Sequence, residues 1–126
     1  MSNDLDLDDD RVLVKPSIRA QSALAHGTIG KSVNLRCSAT GPHDTTLYWR
    51  RLDHNDFSSQ STRFRQQQQI HGDTIQTTLH IKELEKTDFG QYACLAESQA
   101  GRSETILELK GSKFSSTYFN IHISIL

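Results

Sequence analysis

Apolar side chains recur at every second position over several short stretches of the chain. Val33, Leu35 and Cys37 alternate with Asn34 and Arg36. Ile75, Thr77, Leu79 and Ile81 alternate with polar neighbours, and Thr105, Leu107 and Leu109 do the same before Lys110. A period of two places successive side chains on opposite faces of a strand, so each stretch predicts a β-strand with one face turned to a core. Leu47 and Trp49 face in by the same rule, which turns Tyr48 and Arg50 out. Turn signals punctuate these runs at Gly30, Thr40-Gly41-Pro42, Gly72-Asp73 and Gly101. The pattern predicts an all-β chain of short antiparallel strands.

Edges are less regular. Val12-Leu13-Val14-Lys15-Pro16 predicts the start of an edge strand, because proline has no N–H to give a ladder. Ser22 to Gly27 predicts a second half of that strand. Asp53-His54-Asn55-Asp56 reads as a polar turn, Phe57 to Gln60 as a short strand, and Arg63-Phe64-Arg65 as the start of the next. The four glutamines Gln66 to Gln69 read as an exposed edge. Ala96 to Gly101 reads as a turn, followed by a strand over Ser103 to Lys110.

The most informative stretch runs from Leu84 to Cys94. It reads Leu84, Asp88, Gly90, Tyr92, Cys94 at fixed spacing, and it follows an upstream set of Gly30, Val33, Leu35, Cys37 and Trp49. This combination resembles the immunoglobulin superfamily, and within it a domain of the intermediate (I-set) type. The order Tyr48-Trp49-Arg50, then Leu79, Ile81 and Leu84, then Asp88-Phe89-Gly90 and Tyr92, Cys94, is similar to invertebrate neuronal adhesion proteins of the lachesin and IgLON-like type. The resemblance implies a β-sandwich of two antiparallel sheets with Greek-key connections. It implies a disulfide between Cys37 and Cys94 with Trp49 packed on it, and a tyrosine corner at Tyr92. It also implies a plug at Leu84 and a salt bridge from Arg63 to Asp88. It covers residues 12–110 and implies a protein partner, through homophilic or heterophilic contact with another such domain.

Length and composition agree with one such domain. The chain has 126 residues, against about 100 for a sandwich of this kind. Its apolar share of 35% suits strands buried on one face only. The two cysteines are too few and too far apart for a paired-ligand metal site. A disulfide of this kind persists in an oxidising compartment. A net charge of −1 offers no global field for nucleic acid or a membrane surface.

Residues 1–11 form an acidic run, read as a disordered leader. They lack the basic and apolar regions of a signal peptide. Either the protein is cytosolic or the chain is a fragment of a larger one, and the cysteines favour the fragment. Residues 111–126 lie beyond the strand pattern. They read as a poorly ordered tail or as a truncated lipid-anchor signal, with Asn120, His122 and Ser124 interrupting the apolar end.

No catalytic pattern is present in the sequence. The histidines fall in turns or on outward positions, without metal-ligand spacing, and there is no nucleophile elbow or phosphate loop. Asn3, Asn34, Asn55 and Asn120 lack a hydroxyl residue two positions on, so no N-glycosylation site occurs. The expectation is a non-enzymatic module with no cofactor, no small-molecule substrate and no nucleic-acid ligand. It would reach a membrane only through further parts of a longer protein. Function is then sought on outward positions. Tyr48, Ala93, Leu95 and Ile106 are expected to share one sheet face, flanked by Arg50, Gln91, Glu97 and Glu108. The expected role is adhesion or recognition at the cell surface, or a spacer in a tandem array. The alternative is an intracellular structural module of a muscle or cytoskeletal protein.

Overall fold

The computed structural model describes residues 14–52 and 62–112. Eight strands follow in order: β1 (Ser17–Ala20), β2 (Leu24–Gly27), β3 (Val33–Thr40), β4 (Thr46–Arg51), β5 (Phe64–His71), β6 (Thr74–Ile81), β7 (Gly90–Ser98) and β8 (Gly101–Gly111). They build two four-stranded sheets, ordered β1-β3-β6-β5 and β2-β8-β7-β4. All pairings are antiparallel except that of β2 with β8. The fold is an immunoglobulin-like sandwich.

The alternating positions meet in the middle. Leu35, Cys37 and Ala39 of β3 and Thr77, Leu79 and Ile81 of β6 are buried, opposite Trp49 of β4, Tyr92 and Cys94 of β7, and Leu107 and Leu109 of β8. Cys37 and Cys94 are disulfide-bonded across the two sheets, with Cα atoms 6.7 Å apart. Trp49 is the ladder partner of Cys94, and its indole Nε1–H donates to Thr77 Oγ1 at 3.1 Å. That bond explains a threonine in an otherwise apolar layer: a buried indole N–H needs an acceptor.

The chain changes sheet between β1 and β2. Gln21 N–H still donates to Arg36 O in the first sheet, at 3.0 Å. Ser22 Oγ donates to Leu24 O at 2.7 Å, and Glu108 N–H donates to Ala23 O of the second sheet at 2.9 Å.

Two boundaries differ from expectation. Val14 to Pro16 precede the first strand, with Val14 61% exposed and Pro16 buried. The proline therefore ends the entry segment, since β1 needs its N–H groups for β3. The expected turn from Ala96 to Gly101 shrinks to Gln99-Ala100, because Ser98 pairs directly with Gly101. Gly101 has φ 140°, and a Cβ there would lie 2.7 Å from the Lys15 side chain, so glycine suits the position on both counts. The acidic leader, the turn at 53–56, the strand expected at 57–60 and the tail from residue 113 lie outside the described residues.

Candidate recognition surface and the corner that braces it

A short 3-10 turn, Lys86–Asp88, links β6 to β7. Asp88 is 3% exposed and organises it. Its Oδ2 accepts from Arg63 Nη1 at 2.7 Å and from the Glu85 backbone N–H at 2.8 Å, while Oδ1 accepts from Arg63 Nη2 at 3.2 Å. This is a two-pronged guanidinium–carboxylate pair, the geometry in which arginine outperforms lysine. Arg63 Nη1 also donates to the carbonyls of Lys82 and Glu83. Burial alone would push the Asp88 carboxyl up. The hydrogen bonds from Arg63 and Glu85 and the charges of Arg63 and Arg51 outweigh that and hold it below the usual carboxylate range.

Tyr92 closes the corner. Its hydroxyl donates to Asp88 O at 2.6 Å, and its ring is fully buried. Gly90, with φ 140°, lets the chain bend from the 3-10 turn into β7. Leu84 is 1% exposed beneath them. Sequence reasoning missed Arg51, which completes the group. It is buried, with its guanidinium carbon 4.7 Å from the Tyr92 ring centroid and Nη2 donating to Thr87 O at 3.2 Å. The signal was available: after Leu47 and Trp49, Arg51 is the next inward position. A buried arginine is stable there because carbonyl oxygens and an aromatic face surround its charge.

The corner and the disulfide make a rigid frame, and what the frame offers lies on the two outer faces. On the outer side of β2-β8-β7-β4, ladder pairing aligns Tyr48, Leu95 and Glu104 in one row and Arg50, Ala93 and Ile106 in the next. Leu24 pairs with Glu108, and Leu52 continues beside Gln91, whose carbonyl accepts the Leu52 N–H at 3.1 Å. Glu97 faces Arg102, with Arg102 Nη2 3.7 Å from Glu97 Oε2.

The structure corrects two residues of the expected surface, Leu95 and Ala93. Leu95 lies on the outward side but is only 1% exposed. It sits on an inner strand between two long ladder partners, Tyr48 and Glu104, and alternation decides direction without deciding cover. Ala93 is covered too, and Tyr48 is half-buried. The accessible apolar atoms of this face belong to Ile106, Leu24 and Leu52, which are 46%, 43% and 41% exposed. Arg50 and Glu97 are exposed beside them.

Two packed sheets, a cross-sheet disulfide beside a buried tryptophan and a tyrosine corner define an immunoglobulin domain, and an immunoglobulin-domain family model matches residues 15–98. The chain belongs to that family. It is 31% identical over 101 residues to neural cell adhesion molecule 1 of Homo sapiens, a match covering 79% of this chain and 11% of that protein. Among solved structures it resembles the eight N-terminal immunoglobulin domains of Down syndrome cell adhesion molecule, with 27% identity and a TM-score of 0.66, over 76% of this chain and 14% of that one. The titin M3 domain shares the fold at 24% identity and a TM-score of 0.61, covering 78% of this chain and 97% of that domain. The chain thus spans about a tenth of the length of the adhesion relative it matches.

Proposed function

We propose that this domain is a recognition module of a cell-surface protein, and that it contacts a protein partner through the outer face of β2-β8-β7-β4. The carrying observation is that Ile106, Leu24 and Leu52, the large apolar side chains most exposed on that one face, are interspersed with Arg50, Gln91 and Glu108, with Glu97 and Glu104 further along the same face. Exposed apolar side chains mixed with charged and polar ones make up a modest, partly polar protein interface. Similarity to two adhesion molecules supports the class of function. The disulfide supports a location outside the reducing cytosol. Tyr48 contributes from half-buried cover, while Leu95 supports the face from beneath.

Ile106→Arg is the informative substitution, because Ile106 is half exposed whereas a change at Leu95 would report folding. Beads coated with the domain are offered the same domain and a set of purified immunoglobulin-type ectodomains. The variant is expected to keep its urea midpoint, within about 0.5 kcal/mol of stability, and to lose at least tenfold in binding. Undiminished binding by a folded variant would remove this face from consideration. A wild-type domain that gathers none of these partners would favour a spacer role.

A further inference from the structure

The opposite face carries a different chemistry. None of the strands β1, β3, β6 and β5 contains an aspartate or glutamate, whereas Glu97, Glu104 and Glu108 all belong to the other sheet. The near-zero net charge conceals this separation. Arg19, Arg36 and Arg65 point outward from β1, β3 and β5, as their ladder partners Ser38, Thr78 and His80 show. None of the three forms a salt bridge among the described residues. Arg36 and Arg65 border a shallow recess of about 270 Å³, completed by Asn34, Gln67, Thr78 and His80. His80 Nδ1 and Asn34 Oδ1, both lining the recess, are hydrogen-bonded to each other.

We propose that this face binds a linear sulfated polysaccharide. Cations without local counter-ions attract a polyanion and gain further by releasing its condensed counter-ions. Strand spacing and rise put Arg36 and Arg65 about 12 Å apart at the backbone, one ladder row and two strands from each other. An extended polyanion can lie across both and continue along the sheet toward Arg19. The amides and hydroxyls between them match a ligand rich in hydroxyl groups. A lipid surface fits poorly, because the outward positions of β3 and β6 offer no apolar side chain to insert. A nucleic acid fits less well, since the one large aromatic ring in these strands, Phe64, packs on the core and the His80 imidazole in the recess is already tied to Asn34. The site is on the sheet opposite the protein-binding face and stands independently of that reading.

The test uses immobilised heparin and the same resin after desulfation. The wild-type domain is expected to bind heparin at low salt, elute as sodium chloride rises and pass through the desulfated resin. Arg36→Glu combined with Arg65→Glu is expected to cut heparin affinity at least tenfold with an unchanged urea midpoint, while Lys110→Glu on the other sheet leaves it unaltered. Should the double reversal unfold the domain, Arg36→Gln with Arg65→Gln carries the test and must still weaken binding. The proposal is overturned if the wild type ignores heparin, if desulfation makes no difference, or if the folded double variant binds as well as wild type. It is equally overturned if phosphatidylserine vesicles or single-stranded RNA displace heparin at matched charge. Loss of heparin binding with the Ile106 face intact leaves the protein-binding role standing, and the reverse also holds.

Discussion

Replacing both Cys37 and Cys94 by alanine is expected to lower stability by about 4 kcal/mol. The bond closes a loop with a sequence separation of 57, and the chain-entropy relation gives a value of that size for such a loop. Alanine leaves no polar group behind in a layer that also holds Trp49, Leu35 and Leu79. Domains of this size commonly have only 5–15 kcal/mol of stability, roughly, so the loss is a large part of the total. The urea midpoint should fall by about 2 M for a slope near 2 kcal/mol/M. The indole hydrogen bond to Thr77 is independent of the sulfurs, so the sandwich should persist at low denaturant with Trp49 still buried. A midpoint shifted by less than about 0.5 M would show that the sheets hold each other without the bond.

The second large effect concerns Asp88. Asp88→Ala removes the buried carboxylate that holds both Arg63 Nη atoms, with the exposed Glu85 carboxylate left near Arg63 Nε at 3.7 Å, and leaves the Glu85 N–H without its acceptor, at an expected cost of about 3 kcal/mol near neutral pH. The Asp88 carboxyl is held below its ordinary value in the folded state, so its contribution is complete above about pH 4 and fades as acid protonates it. The difference between wild type and variant should therefore be large at pH 7 and shrink by pH 3. Urea midpoints at the two pH values measure it. A gap that stays constant across that range would mean that the ion pair adds little and that Asp88 acts through shape alone.

The inward half of the molecule was legible from the chain. Alternation placed Leu35, Leu79, Ile81 and Leu107 in the core, and the spacing from Leu84 to Cys94 marked the corner in which Arg63, Asp88 and Tyr92 meet. The core residues are readable because their direction follows from a period of two, while the partners at the corner were implied by the resemblance to immunoglobulin domains. Leu95 was misjudged because cover depends on which long side chains flank it, and that requires the pairing of β7 with β4 and β8. Arg51 was overlooked because charge suggests solvent, while the structure gives it the Tyr92 ring and two carbonyls. The separation of charge between the sheets was equally hidden. Charges of both signs are spread along the chain, and only strand order reveals that β1, β3, β6 and β5, none of which contains a carboxylate, share one layer.

The compartment decides between a recognition module outside the cell and a structural module within it. Counting thiols on protein purified from its native source without reductant, with unfolding in the presence of a thiol reagent, tests that choice directly. No reactive thiol is expected, because Cys37 and Cys94 are joined and the chain has no other cysteine. Two free thiols per chain would contradict it and place the domain in a reducing environment.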